Sequence, residues 1–133
     1  MAIYFDKETK TFYLEGKSTT YAFYINNFGY AEHLYYGNKI HRDCILYTRF
    51  EGVRSCIATA PGADNVRGQK SFHHMNPEIS FFGTGDYREA TVHPKFEQGD
   101  RLTTLLYAGH EILDEKPAIS GMPSMRGGKT LLL

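Results

Sequence analysis

The sequence has no tryptophan, only two cysteines and no excess charge: Lys plus Arg and Asp plus Glu number 15 each, a formal net charge of zero. Each absence excludes something. A balanced chain offers no electrostatic footprint for nucleic acid or an anionic membrane, so neither is an expected partner. No apolar run approaches the roughly 18–20 residues that span a bilayer. The opening Met-Ala-Ile-Tyr-Phe-Asp-Lys-Glu is not a basic region followed by an apolar one. It reads as no export signal, so a cytoplasmic location is expected, with Cys44 and Cys56 as free thiols. No Cys-x-x-Cys or His-x-x-x-His spacing occurs among the six histidines and two cysteines. The adjacent pair His73-His74 would point to opposite faces of a strand, so no metal site is expected.

Helical periodicity is also missing. No window of a dozen residues repeats apolar positions at three and four, whereas ten Tyr and nine Phe supply ample material for a core. At 133 residues one hydrophobic core is expected. The strand signals are clear at the N-terminal end. Residues 2–5 and 11–14 flank a polar turn, Asp6-Lys7-Glu8-Thr9-Lys10, and predict a hairpin. Residues 21–25 and 30–36 flank Asn26-Asn27-Phe28-Gly29, residues that tolerate positive φ, and predict a second. Phe23 and Ile25 alternate with Ala22 and Tyr24, so the two pairs should face opposite sides of the sheet.

Residues 37–85 are broken by Gly52, Pro61, Gly62, Gly68 and Pro77. They predict long loops with short strands near Cys44 to Tyr47 and Ser55 to Ala58. Loops of that length in a compact domain are usually functional or interfacial. Beyond them, strands are expected at 89–96, 102–107 and 111–113, with a turn at Glu97-Gln98-Gly99-Asp100. The final Lys129-Thr130-Leu131-Leu132-Leu133 reads either as a short edge strand or as the start of a strand cut short. The fold expected is an all-β antiparallel two-sheet sandwich, one domain over 1–133, with few or no helices.

Chemistry-bearing motifs are scarce. No Gly-x-Ser-x-Gly elbow exposes a serine, and Gly83-Thr84-Gly85-Asp86 lacks the Lys-Ser or Lys-Thr of a phosphate loop. Glycoside hydrolysis needs two carboxylates, about 5–5.5 Å apart for a retaining enzyme. Asp43, Glu51, Asp64, Glu78, Asp86 and Glu89 lie in the loop-rich part, where solvated surface carboxylates are the usual outcome. Without Trp, most of the Tyr and Phe rings are expected in the core.

The ordered set of motifs resembles glycoside hydrolase family 36, the bacterial α-galactosidases. It comprises Ile-Tyr-Phe-Asp-Lys-Glu-Thr-Lys-Thr-Phe-Tyr-Leu, Thr-Tyr-Ala-Phe-Tyr-Ile and Gly-Tyr-Ala-Glu-His-Leu-Tyr-Tyr-Gly-Asn-Lys-Ile. Gly83-Thr84-Gly85-Asp86-Tyr87-Arg88-Glu89-Ala90 is similar to the family's Gly-x-Gly-Asp-Phe-Arg-x-Pro-Ala. Tyr107-x-x-His110-x-Ile112, Lys116-Pro117, Gly121-Met122-Pro123 and Thr130-Leu131 follow in family order.

The resemblance implies a β-supersandwich, the N-terminal domain of a longer enzyme whose (β/α)₈ barrel carries both catalytic aspartates. It places no catalytic residue on this chain and calls for no cofactor. It implies retaining hydrolysis of terminal α-galactosyl groups of the melibiose or raffinose type, in a homo-oligomer, a tetramer in some members. There a loop reaches a neighbouring subunit's active site, and Arg49-Phe50-Glu51 stands where the family has Arg-Leu-Asp. Glu51, with Arg49, would thus contact sugar across the interface. The chain departs from the family at Phe72-His73-His74-Met75-Asn76-Pro77-Glu78, which lacks the family Asp, and at Ala60-Pro61-Gly62-Ala63-Asp64-Asn65. The alternative reading is a free-standing carbohydrate-binding sandwich without activity.

Overall fold

A computed structural model describes residues 2–49, 75–82, 86, 88–123 and 128–133. Four strands, β1 (Ala2–Asp6), β2 (Thr11–Glu15), β3 (Thr19–Ile25) and β4 (Ala31–Asn38), form an antiparallel meander in the order β1-β2-β3-β4. A second sheet joins β5 (Glu111–Leu113) to β6 (Thr130–Leu132), also antiparallel. The architecture is all-β, with one single-turn helix among the described residues, α1 (Arg42–Ile45), followed by a 3-10 turn at Leu46–Thr48.

Both predicted hairpins form, for the reasons the sequence offers. The β1–β2 turn is fixed by Asp6, whose Oδ1 accepts from the Glu8 amide at 2.9 Å. The β3–β4 turn is organised by Asn26. Its Oδ1 accepts from the Phe28 and Tyr30 amides at 2.9 and 3.0 Å, while Gly29 takes φ +88°. A side chain at Gly29 would have room beside Leu106 but not the backbone angle, so the turn needs glycine.

Alternation then sorts the meander into two faces. Phe12, Phe23 and Ile25 cluster on one, together with Phe5 and Leu14. Tyr13, Ala22, Tyr24 and Leu34 cluster on the other. Phe12 lies stacked between Phe5 and Phe23, with ring centroids 4.4 and 4.8 Å away. Over this face closes the second layer: Tyr107 and Leu131 pack on the cluster, and the His110 ring stands edge-on to Phe5 and Phe12. The Tyr107 hydroxyl meets His110 Nδ1 at 2.7 Å, so the Tyr-x-x-His motif is a brace for this layer.

Three expectations fail. Residues near Cys44 to Tyr47 form α1 and the 3-10 turn, not a strand. Alternation would bury Tyr47 with Ile45. Instead Ile45 alone is buried against the Tyr13 and Tyr24 face, and Tyr47 is 92% exposed. Residues 89–96 make no strand: Thr91 bonds Ser80 through backbone and side chain, and Pro94 has no amide to continue a ladder. Residues 102–107 carry strand-type side chains but no ladder, because no described strand lies alongside them. The turn at 97–100 is present, with Gly99 at φ +83° and the Phe96 amide bonded to the Asp100 carbonyl. Cys44 is a free, exposed thiol, and the strand expected near Ser55 to Ala58 falls outside the described residues.

Candidate functional site

Residues 50–74, within the stretch expected to carry function, lie outside the described residues, and the described chain on their two sides is held differently. Before them, the 3-10 turn ends with the Arg49 amide bonded to the Leu46 carbonyl at 3.2 Å. The Arg49 guanidinium lies 4.4 Å from the centroid of Tyr24, a ring that is itself buried. A planar cation over an aromatic face is held both electrostatically and by contact. Arg49 is thereby pinned to the sheet two residues before Glu51, which lies outside the described residues.

On the other side, residues 76–78 add to the edge of β4 that β3 does not occupy. The His33 amide donates to the Asn76 carbonyl at 2.7 Å, and the Glu78 amide to the Ala31 carbonyl at 2.9 Å. This antiparallel register brings Glu78 onto the face that carries Tyr21 and His33. One carboxylate oxygen accepts the Tyr21 hydroxyl, and the other lies 3.0 Å from His33 Nδ1. Arg88 supplies a second clamp. It grips Asp86 through Nε at 2.8 Å and Nη2 at 3.0 Å, and its Nη1 donates to the Met75 carbonyl at 3.3 Å. The Asp86 side chain is 2% exposed, so this carboxylate is a structural anchor. The Asp-x-Arg part of the resemblance thus anchors the chain at Met75. Gly83, Thr84, Gly85 and Tyr87 are outside the described residues.

Two further carboxylates are similarly engaged. Glu32 is buried and accepts from Asn26 Nδ2 at 2.6 Å. Glu15 accepts from Arg42 Nε at 2.7 Å and faces Lys39 at 3.5 Å, and the Arg42 guanidinium covers the Tyr4 ring. Arg42 holds the Glu15 carboxyl below the usual carboxylate range. Glu15, Glu32, Glu78 and Asp86 therefore hold the chain together. None of the four is the unencumbered nucleophile that retaining hydrolysis needs. An apolar cleft of about 250 Å³ is bordered by Ile25, Tyr30, Phe81, Leu105, Leu106 and Leu133.

Burial shapes the tyrosines here. It pushes the Tyr21 hydroxyl far up, helped by its bond to Glu78, and raises those of Tyr13 and Tyr30. Each folded-state value exceeds the unfolded value near 10, so the stabilisation is full below about pH 10 and lost as pH rises further. In an alkaline titration followed by phenolate absorbance, at least these three of the ten tyrosines should ionise late, with unfolding. Tyr21→Phe should remove one late ionisation. Ten tyrosines titrating together in the folded protein would refute the burial assigned to them.

The sequence singled out Arg49 and Glu51 but missed the Tyr21–Glu78–His33 clip. Pro77-Glu78, read as a loop, is in fact an edge addition to β4. The one available signal was that Pro, lacking an amide, suits an edge position.

A family model described as the glycosyl hydrolase family 36 N-terminal domain matches residues 29–131. This chain belongs to that family. The bifunctional alpha-galactosidase/sucrose kinase of Mediterraneibacter gnavus is 32% identical over 127 residues, 94% of this chain and 13% of the relative. The solved galactosidase domain of an alpha-galactosidase-sucrose kinase superposes with a TM-score of 0.84 at 30% identity, covering 98% of this chain and 18% of that one. An alpha-galactosidase of Geobacillus stearothermophilus is 25% identical over 126 residues, 93% of this chain and 17% of the relative. The family 36 domain described here thus spans a small part of the length of the curated relatives it matches.

Proposed function

We propose that this domain is the accessory N-terminal part of a retaining α-galactosidase acting on terminal α-galactosyl groups of the melibiose and raffinose type. The observation that carries the reading is the likeness to an alpha-galactosidase of Mediterraneibacter gnavus over 94% of the chain at 32% identity. Of the candidate carboxylates, Glu78 and Asp86 are engaged in holding the chain, which favours catalysis elsewhere in the polypeptide, on a barrel to which this domain would pack. The chain's part is to shape the active-site wall through the stretch that includes Glu51. In an oligomer that stretch contacts a neighbouring subunit, where Glu51 accepts hydroxyls of the galactosyl group. Arg49, held on Tyr24, fixes the chain two residues before Glu51.

Two measurements test this. The purified chain should hydrolyse an aryl α-galactoside no faster than buffer, and turnover that tracks the protein through purification would overturn the accessory role. The second uses a chimera in which this chain replaces the matched region of the Mediterraneibacter gnavus enzyme. There Glu51→Ala should lower kcat/KM by roughly 10–100-fold, the weight of a hydrogen bond to a charged acceptor. An unchanged kcat/KM would remove Glu51 from the sugar site.

A further inference from the structure

A single helical turn does not hold itself in water, so the seat of α1 is set by what it touches. Arg42, Ile45 and Arg49 recur at three and four, the spacing of one helical face. Each of them meets tyrosines of the four-stranded sheet. The Arg42 guanidinium lies 4.2 Å from the Tyr4 centroid and 5.7 Å from that of Tyr13. Ile45 has no exposed surface and packs with Tyr13 and Tyr24. The Arg49 guanidinium covers Tyr24 at 4.4 Å. Tyr4, Tyr13 and Tyr24 belong to β1, β2 and β3, so residues 42–49 are mounted across all three strands.

The end of this mount is stiffened locally. Thr48 Oγ1 donates to the Ile45 carbonyl at 2.7 Å, and the Arg49 amide donates to the Leu46 carbonyl at 3.2 Å. Arg49 Nε is shielded from solvent, and the ring beneath the guanidinium is 1% exposed. Lifting the guanidinium out to meet a ligand would forfeit the stack and uncover a core ring. Glu51 follows two positions later. Bond lengths alone keep its Cα within about 7 Å of the Arg49 Cα, so whatever fixes Arg49 also confines Glu51.

We infer that Arg49 is a positioning residue for sugar binding and not itself a sugar ligand, acting from the Tyr24 ring through Glu51. The order Arg49-Phe50-Glu51 groups a cation with a carboxylate, yet their tasks divide. Arg49 fastens the chain to the core of the sheet, and Glu51 meets the galactosyl hydroxyls. A backbone already fixed at Arg49 leaves Glu51 less freedom to give up when sugar binds, so the mount is felt as affinity. This inference rests on the sugar contact proposed for Glu51.

A double-mutant cycle in the same chimera separates a ligand from a positioning residue. Arg49→Ala should lower kcat/KM for an aryl α-galactoside by about 3–30-fold, the weight of a cation on a desolvated ring. In the Glu51→Ala background the same substitution should change kcat/KM by less than about 2-fold, because nothing remains for it to position. In the isolated chain, the side-chain protons of Arg49 should resonate upfield of ordinary arginine, shifted by the ring current of Tyr24. An Arg49→Ala loss that persists at full size in the Glu51→Ala background would make Arg49 a ligand or a general support and overturn the inference. So would a silent Arg49→Ala beside a costly Glu51→Ala, or the absence of the upfield shift. Each of these three defeats the inference alone and leaves the proposed function standing. A silent Glu51→Ala defeats the proposed sugar contact, and this inference falls with it.

Discussion

Replacing Phe12 by alanine should cost about 3–5 kcal/mol, a large fraction of the stability of a domain this size. Phe12 has no exposed surface and is the ring around which both layers close. Phe5 and Phe23 stack on its two sides along the sheet, and His110 meets it edge-on from the opposite layer at 4.9 Å. Removing the ring deletes the transfer energy of a buried aromatic and leaves a cavity that the flanking strands, locked in register, cannot close. Urea unfolding of Phe12→Ala beside Tyr36→Ala gives the reading. Tyr36 is 70% exposed, and its removal should shift stability by no more than about 0.5 kcal/mol. A double-mutant cycle with His110→Ala should show a coupling of about 0.5–1.5 kcal/mol. A cost below about 1 kcal/mol for Phe12→Ala would mean that the second layer does not close over the first.

How far the sequence disclosed this fold depends on where its contacts lie. The two hairpins were readable because their determinants are local. Phe23 and Ile25 against Ala22 and Tyr24 announce two faces, and Asn26 with Gly29 announces the turn. The helix at Arg42–Ile45 was not readable. It exists because one residue, Ile45, finds a place under Tyr13 and Tyr24, and no periodicity in four residues records that. Residues 102–107 were readable as strand-type, yet whether such a run forms a ladder depends on a partner that its own residues do not specify. The candidate site follows the same rule. Family order pointed to Arg49 and Glu51, and nothing nearby foretold that Arg49 would lie on Tyr24. The clip from Tyr21 to Glu78 joins residues 57 positions apart, and its register arises only after the return segment has paired with β4.

Asn26→Asp should produce a protein whose stability runs against pH in the opposite sense to the natural chain. The substitution keeps the shape and the Oδ1 acceptor that organises the Phe28 and Tyr30 amides. What it exchanges is the Nδ2 donor, 2.6 Å from Glu32 Oε1, for a second carboxylate oxygen at a buried position. Two carboxylates in such contact cannot both ionise, and at neutral pH the cost should be about 3–5 kcal/mol. Lowering the pH lets the pair share one proton, with an apparent pKa well above the unfolded carboxylate value near 4. The folded variant then binds more protons than the unfolded one across that interval, so its stability falls as pH rises through it. In the natural chain Glu15, its pKa lowered by Arg42, contributes stability that is present above about pH 4.5 and lost as pH falls. Urea midpoints measured from about pH 4 to 7 should therefore climb toward acid for the variant and stay level or decline for the parent. Asn26→Ala removes the Nδ2 donor and the Oδ1 acceptor together without adding charge, and its deficit of about 2–4 kcal/mol should show no such climb. Parallel pH profiles for Asn26→Asp and Asn26→Ala would mean that the new carboxylate escapes to solvent, and that the turn at Asn26 is looser than its hydrogen bonds require.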